Sequence, residues 1–348
     1  MRVLIIGAGP VGLWIGANLI RAGHIVGFVG RPRVADALRA AGLTVETPAG
    51  NWQVHTPAVF GSVSAASARG PADLICITTK AYDLAGALDE IAAADMIPAE
   101  SDTVVAAFQN GVGAEEAVAA RFGAARTLAA TTTTPVSLSG PGRLRVDRVG
   151  GGIAWAALDA AARGARACVA AMVASGCGVP VADGRSLKWS KLLLNLAGNA
   201  SGAILDLPPA ALFANPRMFI FEMKMLREAV RVMDALGIRA VSLPGAPAAS
   251  LAWALRWLPD IALRLVLRRR LAAARGDKRP SLYYELANAT GRSEVAWLNG
   301  AVVAAGARLG IPTPVNERLT SVVAALVAGS APWTDWRGDI SRLTATRK

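Results

Sequence analysis

The segment that opens this chain constrains its fold more than any other. Residues 3–6 are an apolar run typical of a buried strand, and directly after it comes Gly7-Ala8-Gly9-Pro10-Val11-Gly12. This Gly-X-Gly-X-X-Gly pattern gains meaning from its position, because it ends a strand and begins a helix. It predicts a βαβ unit that binds a dinucleotide, with a glycine-rich turn that holds no ligand as the alternative.

Each position of this turn has a predicted task. Gly7 would permit the tight turn, Gly9 would let the backbone approach a pyrophosphate, and Gly12 would let the helix pack closely on the strand. The start of the helix, at Pro10 and Val11, would present free N–H groups and partial positive charge to the phosphates. These five residues are therefore candidate cofactor-binding residues.

Hydrophobic patterning divides the chain into two halves. Short apolar runs alternate with helical patterns in the first half, which indicates βαβ units and a parallel sheet. From Ser186 onward nearly all of the patterning is helical: a helix is predicted to begin at an Asn215-Pro216 cap, and uninterrupted helices are predicted over 251–275 and 294–309. We predict an α/β N-terminal Rossmann-type dinucleotide-binding domain over residues 1–182, an all-helical C-terminal domain over 183–330, and a tail over 331–348.

The residues after the second predicted strand select the cofactor. An acidic residue there would bind the ribose 2′-hydroxyl of NAD. This chain has Gly30-Arg31-Pro32-Arg33 instead. The guanidinium of Arg31 would form two charge-assisted hydrogen bonds with a 2′-phosphate, so NADP is favoured over NAD.

Two further polar residues follow strands of the first half. Lys80 comes after the run 74–78, and Asn110 comes after the run 103–108. Ligands of open α/β sheets bind beyond the carboxyl ends of the strands, so Gly7, Arg31, Lys80 and Asn110 are expected at one crevice. The alternatives are an exposed surface lysine and an ordinary Asn-Gly turn.

A polar stripe marks the start of the helical half. Lys191, Asn195 and Asn199 are spaced four residues apart, on one face of a predicted helix that is otherwise apolar or small. A buried lysine is costly unless it lines a cavity or is paired, and its lowered pKa suits acid–base chemistry. The alternative is a solvent-facing stripe. Lys188, one turn earlier, is interpreted as an exposed or supporting lysine.

Glu294 is a third candidate for the catalytic machinery. It begins the predicted helix 294–309. A carboxylate is favoured at a helix start by the helix dipole alone, which is the alternative to a functional role.

Composition excludes several classes of protein. Apolar residues make up 53% and charged residues 18%, which excludes intrinsic disorder. The apolar runs are too short or too broken by glycine to span a membrane, and the glycine turn explains residues 3–20 better than a signal peptide does. The net charge is +12 without any nucleic-acid motif, so we expect a solvated basic face and a pocket for phosphates and carboxylates.

The cysteines indicate neither a metal nor a redox site. Cys76, Cys168 and Cys177 lack the spacing of either kind of motif, so no metal is expected. Such cysteine usage is typical of a reducing cytoplasm, which is the predicted location.

Together these segments resemble the ketopantoate reductase (2-dehydropantoate 2-reductase) family. The matching residues occur in family order within residues 3–328. They are Gly7 to Gly12, the Arg31 region with Leu38 and Gly42-Leu43, Thr79-Lys80-Ala81, Gln109-Asn110-Gly111, Lys188-Trp189, Lys191-Leu192, Asn195, Asn199, Glu294 and Leu298-Asn299-Gly300. The set is specific, although no single motif is.

The resemblance implies roles for these residues. The family has a Rossmann domain and a helical domain with the active site between them. By resemblance, Lys191 would be the general acid and Asn110 would lie near the nicotinamide and substrate. Asn195 and Asn199 would hold the substrate, and Glu294 would engage the substrate hydroxyl or the cofactor. Ser281 resembles a serine that contacts the substrate carboxylate, although its spacing to Glu294 is one residue longer.

Two departures from the family pattern bear on the substrate. Ala296 stands where the family often has an acidic residue, and residues 246–278 are longer and more basic than in compact members. The long segment is interpreted as a helical elaboration near the cleft or a dimer surface, with contact to a membrane surface as the alternative. A homodimer is compatible with the sequence.

Three functions follow, in order of preference. The first is NADPH-dependent reduction of ketopantoate to pantoate by hydride transfer, with a small keto acid as the partner. The second is reduction of another 2-keto acid or related carbonyl. The third is a regulatory protein that senses NADPH without turnover, against which the Lys191 stripe argues because a sensor needs no proton donor.

Overall fold

The computed structural model describes residues 1–274 and 279–345 and contains two compact units. The first unit consists of residues 1–109, 113–188 and 243–246. The second consists of residues 110–112 and 189–242 and the described part of 247–348. The domain limits drawn from the sequence, at residues 182 and 330, remain predictions.

The first unit is built on an eight-stranded sheet and a four-stranded sheet. The twelve strands are β1 Arg2–Ile6, β2 Ile25–Val29, β3 Leu43–Thr47, β4 Gly50–Val54, β5 Ala58–Phe60, β6 Leu74–Ile77, β7 Val104–Ala107, β8 Thr127–Thr132, β9 Val136–Gly140, β10 Arg143–Val146, β11 Ile153–Ala157 and β12 Val179–Pro180. The large sheet has the order β12-β11-β8-β7-β6-β1-β2-β5, and the small sheet has the order β4-β3-β10-β9.

Six neighbouring strands of the large sheet run parallel to one another, in the order β8-β7-β6-β1-β2-β5. Their sequences are nearly continuous apolar runs because both faces of the sheet are covered. All four residues of β6 are fully buried, and so are the last three residues of β7. Helices connect the strands: α1 Pro10–Arg21, α2 Pro32–Ala41, α3 Val63–Ser67, α4 Leu84–Ala93, α5 Ala114–Phe122 and α6 Arg163–Ala174.

The described part of the second unit is helical. Its helices are α7 Gly184–Leu196, whose first residues to Lys188 are grouped with the first unit, α8 Ala200–Leu205, α9 Pro209–Ala214, α10 Pro216–Ala235, α11 Ala248–Trp257, α12 Asp260–Ala274, α13 Ser281–Ala287, α14 Asn299–Leu309, α15 Pro314–Val327 and α16 Ile340–Thr344. Short 3₁₀ turns cover Ala81–Asp83, Ala124–Arg126, Glu294–Trp297 and Trp333–Asp335. The predicted fold class, an α/β Rossmann-type part followed by a helical part, is confirmed.

Helix α10 is the central element of the second unit. It begins at the predicted Asn215-Pro216 cap, where the Asn215 side chain accepts hydrogen bonds from the backbone N–H groups of Arg217 and Met218. Its buried face packs against α9, α11, α14 and α15. The fully buried Glu228 of α10 accepts hydrogen bonds from the first amides of α15, at Val315 and Asn316. A carboxylate at that end also complements the positive pole of the helix dipole.

One predicted helix is wrong in its extent. The segment predicted as a single helix over 251–275 is divided into α11 and α12 by Leu258 and Pro259. Leu258 has extended backbone angles because the ring of the following proline disfavours the helical conformation. Residues 275–278, at the end of the basic segment, lie outside the described residues. Among the described helices, none is both long and apolar enough to cross a membrane.

Candidate active site

The glycine turn between β1 and α1 has the geometry that a dinucleotide requires. Gly7 has φ +106°, and a Cβ atom on it would lie 2.8 Å from the backbone nitrogen of Thr79. A Cβ atom on Gly12 would lie 2.1 Å from the carbonyl oxygen of Gly7, so a side chain is excluded at both positions. Around the corresponding point on Gly9, no described atom beyond Gly9 itself and its two chain neighbours lies within 4 Å. Free space at Gly9, beside a helix start without a described side-chain cap, fits a pyrophosphate.

Thr78 holds this turn in place, although the sequence did not single it out. Its hydroxyl donates to the carbonyl oxygen of Gly7 at 2.7 Å and lies 3.1 Å from that of Ile6. Gln109 supports the neighbouring loop, because its side-chain amide donates to the carbonyl oxygen of Ile77. The signal for Thr78 and Gln109 is the same as for Lys80 and Asn110: each is a polar residue just after the end of a buried strand.

Arg31 and Lys80 lie at the same edge of the sheet as the glycine turn. Strand β1 pairs with β2 and β6 so that Ile6 stands beside Val29 and Ile77, and all three strands end together. The Arg31 side chain is 88% exposed, and its nearest acidic group is Asp83, 3.9 Å away. Lys80 is exposed and precedes the 3₁₀ turn Ala81–Asp83. Both cations are therefore placed where phosphates of a bound nucleotide are expected.

Asn110 is grouped with the second unit, so its expected place in one crevice with Gly7, Arg31 and Lys80 remains a prediction. Its side-chain oxygen accepts a hydrogen bond from the Asn195 amide at 3.0 Å. The next residue, Gly111, has φ +90°, and a Cβ atom there would lie 2.2 Å from the carbonyl oxygen of Trp297. That carbonyl also accepts a hydrogen bond from the backbone of Val112. The Asn110-Gly111 loop thus requires glycine for close packing, which an ordinary turn does not.

The stripe of Lys191, Asn195 and Asn199 does not lie on one continuous helix. Helix α7 ends at Leu196, and Gly198 adopts φ +63°, which interrupts the helix before α8. The buried carboxylate of Glu222 accepts hydrogen bonds from the Gly198 amide, at 2.7 Å, and from the Ser201 hydroxyl. The predicted i+8 register therefore fails for Asn199, because Glu222 satisfies the backbone where the helix breaks.

The break in the helix brings Asn199 to Ser281. The Asn199 amide donates to the Ser281 hydroxyl at 3.3 Å, and its side-chain oxygen accepts from the backbone of Leu282. Asn199 is 2% exposed, so its whole side chain is engaged within the protein. These two residues, both predicted to bind substrate, form one cluster at the start of α13.

Glu294 lies in a 3₁₀ turn, and the predicted helix 294–309 is wrong in its first five residues. The helix begins only at Asn299, because Leu298 takes the non-helical angles φ −101° and ψ −102°. Glu294 is 2% exposed, and its backbone N–H donates to the carboxylate of Glu285, which is 5% exposed. A buried carboxylate is unusual and costly. Glu285 is therefore a second buried acid beside Glu294, which sequence patterning on a short helix did not reveal.

Lys191 is half-buried and precedes Asn195 by one turn of α7, so both side chains lie on the same helix face. Lys188, in contrast, is 1% exposed, so of its two interpretations, an exposed or a supporting lysine, the exposed one is wrong. Within the first unit its ammonium group lies 3.3 Å from the Glu115 carboxylate and donates to the Gln109 carbonyl oxygen at 2.6 Å. Burial raises the pKa of Glu115, while the ammonium of Lys188 opposes this shift.

The three cysteines are buried thiols in the first unit. Burial raises the pKa of Cys168 to about 12 and that of Cys76 well above its ordinary value. Thiols of this kind are unreactive. Among residues 1–274 and 279–345, no three or more His, Cys, Asp or Glu side chains are grouped as metal ligands.

Comparison with known proteins decides the family. Residues 3–159 match the family model described as "Ketopantoate reductase PanE/ApbA", and residues 183–327 match its C-terminal model. The chain belongs to the ketopantoate reductase family. The 2-dehydropantoate 2-reductase of Halobacterium salinarum is 29% identical over 330 residues, which cover 93% of this chain and 98% of that protein. The enzyme of the same name from Archaeoglobus fulgidus is 28% identical over 331 residues, covering 94% and 98%.

Solved structures agree with this assignment. A ketopantoate reductase of the PanE/ApbA family from Ralstonia eutropha superposes with a TM-score of 0.76 at 28% identity, covering 94% of this chain and 99% of that one. D-mandelate dehydrogenase in a ternary structure with NADH and anilino(oxo)acetate has the same TM-score of 0.76 at 21% identity and shares the fold, with coverage of 94% and 99%. The protein is thus an oxidoreductase of a family that uses NADPH.

Proposed function

We propose that this protein reduces a small 2-keto acid with NADPH, ketopantoate in the first place, and that Lys191 is the general acid. The observation that carries the proposal is a set of polar side chains at α7. Lys191 and Asn195 lie on the same face of this helix, and the Asn195 amide donates a hydrogen bond of 3.0 Å to the side-chain oxygen of Asn110. An enzyme of this kind needs a proton donor and hydrogen-bonding groups for the substrate, and these residue types supply both.

The coenzyme fits the first unit by its own geometry. The open space at Gly9 would accept the pyrophosphate, and the start of α1 would contribute backbone N–H groups to it. Arg31 would pair with a 2′-phosphate, and Lys80 would add positive charge beside it. Bound there, NADPH supplies a hydride for the keto carbon.

The remaining chemistry belongs to residues of the second unit. Negative charge grows on the keto oxygen during reduction, and the Lys191 ammonium would stabilise that charge and donate the proton that completes the hydroxyl. Asn195 would orient the substrate, and Asn199 would position Ser281, which would lie at the substrate carboxylate. Asn110 would hold the reacting carbonyl beside Asn195. Glu294 would accept a hydrogen bond from the substrate hydroxyl or engage the coenzyme.

Ketopantoate is preferred because relatives that cover nearly the whole chain are named 2-dehydropantoate 2-reductase. One observation favours another 2-keto acid: the exposed Ala296 stands where an acidic residue is common in the family. A panel of 2-keto acids ranked by kcat/KM, with NADPH and NADH side by side, tests both candidates. NADPH binding without oxidation across the whole panel would contradict both and identify a sensor.

Replacing Arg31 with alanine is expected to raise the KM for NADPH by about 10- to 100-fold, because charge-assisted hydrogen bonds contribute ~1.5–3 kcal/mol. The KM for NADH should stay nearly unchanged, since NADH lacks the 2′-phosphate. Steady-state kinetics with both coenzymes measure the ratio. Arg121→Ala, which removes another exposed arginine of the first unit, is the control. An equal change for both coenzymes would mean that Arg31 does not contact the 2′-phosphate.

Replacing Gly9 with alanine is expected to weaken the binding of NADPH without affecting the stability of the fold. Its extended backbone (φ −82°) and the open space around it accept a methyl group, so the free energy of unfolding should change by less than ~0.5 kcal/mol. The same methyl group would occupy the place of the pyrophosphate, so the Kd for NADPH should rise about tenfold or more, equal to ~1.4 kcal/mol. Calorimetric titration and urea unfolding measure the two effects, with Gly61→Ala as a control at another open glycine. An unchanged Kd would exclude this turn as the pyrophosphate site.

A further inference from the structure

Four large apolar side chains on α11 and α12 face solvent in an unbroken series. Trp253 is 56% exposed, Trp257 70%, Ile261 79% and Leu265 81%. Each follows the previous one by four residues, so within each helix the two side chains lie one above the other. Single exposed apolar residues are common, but two such pairs on consecutive helices, including two tryptophans, mark an interaction surface.

The junction between the two helices is fixed. Arg227 of α10 donates hydrogen bonds to the carbonyl oxygens of Leu255 and Leu258 at the end of α11, and it pairs with Asp260 at the start of α12. The α11–α12 surface is defined here as Trp253, Trp257, Ile261 and Leu265. It therefore lies on two helices whose junction is held by Arg227.

Arginines share the exposed face of α12. At about 100° per residue, Ile261, Leu265, Arg264 and Arg268 fall within about 100° of each other around the helix. Leu263 and Leu267 point to the opposite side, where they are buried in the core. Arg264 and Arg268 are exposed and form no ion pair with an acidic side chain within residues 1–274 and 279–345. From residue 261 to residue 276 the sequence has no acidic residue and has arginine at positions 264, 268, 269, 270 and 275.

We propose that the α11–α12 surface docks this protein onto an anionic lipid bilayer. Tryptophans prefer the boundary between headgroups and acyl chains, aliphatic residues enter the acyl region, and arginines reach back to the headgroup phosphates. A second copy of the chain fits this surface less well, because its own arginines would face those of the first copy without carboxylates between them. The contact is peripheral. It is independent of the proposed reductase activity.

The test is co-sedimentation of the full chain with phosphatidylcholine vesicles that contain or lack 30% phosphatidylglycerol. We expect binding to the anionic vesicles, little binding to the neutral ones, and loss of binding at 0.5 M salt. Trp257→Ser/Leu265→Ser should lower the partition coefficient at least about tenfold, because it removes apolar surface that the bilayer would bury. Arg264→Gln/Arg268→Gln should lower it about 25-fold, since each basic residue near an anionic surface contributes about a fivefold factor.

Two double variants serve as matched controls. Ile25→Ser/Val149→Ser removes two apolar residues of the first unit that are each 70% exposed. Arg163→Gln/Arg166→Gln removes two exposed arginines from the single helix α6. Neither pair should change partitioning by more than about twofold, because exposed substitutions away from an interface have little effect. Equal binding to both kinds of vesicle, no binding to either, or equal loss in the control variants would overturn the proposal.

Light scattering tests whether a second copy of the chain, rather than a lipid bilayer, covers the α11–α12 surface. A dimer that Trp257→Ser/Leu265→Ser converts to a monomer would assign the surface to self-association and reject the lipid proposal. An unchanged oligomeric state, together with lost vesicle binding in this variant, is the expected result. Circular dichroism of every variant should match that of the parent chain, since all of the replaced side chains are exposed.

Discussion

The Lys191→Ala variant is expected to lose a factor of about 10²–10⁴ in kcat for keto-acid reduction, the usual contribution of a positioned general acid. Its Kd for NADPH should remain nearly the same, because the coenzyme contacts proposed here lie on the glycine turn, Arg31 and Lys80. An alanine cannot donate a proton or stabilise negative charge on the keto oxygen. Stopped-flow oxidation of NADPH, followed at saturating keto acid, measures the effect.

Two comparisons make the Lys191 experiment specific. Lys224→Ala removes an exposed lysine of α10 in the same unit and should leave kcat unchanged. Asn195→Ala removes the partner of Asn110, so it should raise KM as well as lower kcat. A Lys191→Ala enzyme that keeps its kcat would eliminate this residue as the proton donor while leaving the family assignment intact.

The sequence predicted those parts of the protein whose physics is local. The glycine turn depends on three glycines between the end of one strand and the first turn of the next helix, and the backbone of Gly7 and the close packing at Gly12 are as expected. The Asn215-Pro216 cap of α10 is equally local. Patterning of apolar residues also separated the sheet from the helical half, because the periods of the two structures differ.

The sequence did not predict features that depend on distant partners. The break in the helix after Leu196 is stabilised by Glu222, which is 24 residues further along the chain than Gly198. The 3₁₀ turn at Glu294 is accompanied by contacts of Trp297 with residues 111 and 112. Neither interaction leaves a periodic trace in the sequence, so both segments appeared as ordinary helix.

Lys188 is the clearest example of this limit. Its position among apolar and polar residues of α7 gave no sign that Glu115, 73 residues earlier, would be buried beside it. A lysine without a partner would favour the surface, and a glutamate on α5 would as well. Each side chain can be buried only because the other neutralises its charge, so the burial of Lys188 and that of Glu115 depend on each other.

This buried pair predicts a large loss of stability when it is broken. Lys188→Met should lower the free energy of unfolding by about 3–5 kcal/mol, because Glu115 would remain as a buried carboxylate without its counter-charge. Glu115→Leu should lower the free energy of unfolding by about as much, because Lys188 would remain as a buried ammonium group without its counter-charge. Arg185→Met, at an exposed position one turn earlier on α7, is the control and should change stability by less than ~0.5 kcal/mol. Urea unfolding followed by circular dichroism measures all three.

The double variant Lys188→Met/Glu115→Leu should be more stable than either single variant. Both buried charges are then gone, and the remaining cost of about 1–3 kcal/mol is that of the Gln109 carbonyl, which loses the hydrogen bond from Lys188. If instead the losses in the free energy of unfolding of the two single variants add in the double variant, the two side chains do not interact, and the ion pair contributes nothing to stability.

The dependence of stability on pH provides an independent check of the same pair. Burial raises the pKa of Glu115, and removing Lys188 raises it further, so the folded Lys188→Met variant binds a proton that the unfolded chain releases above its ordinary pKa of 4.5. More protons bound in the folded state mean that stability falls as pH rises, by at most ~1.4 kcal/mol per pH unit. Lys188→Met should therefore be least destabilised near pH 4.5 and progressively more destabilised toward pH 8, whereas the double variant, which lacks the carboxyl group, should show no such added slope.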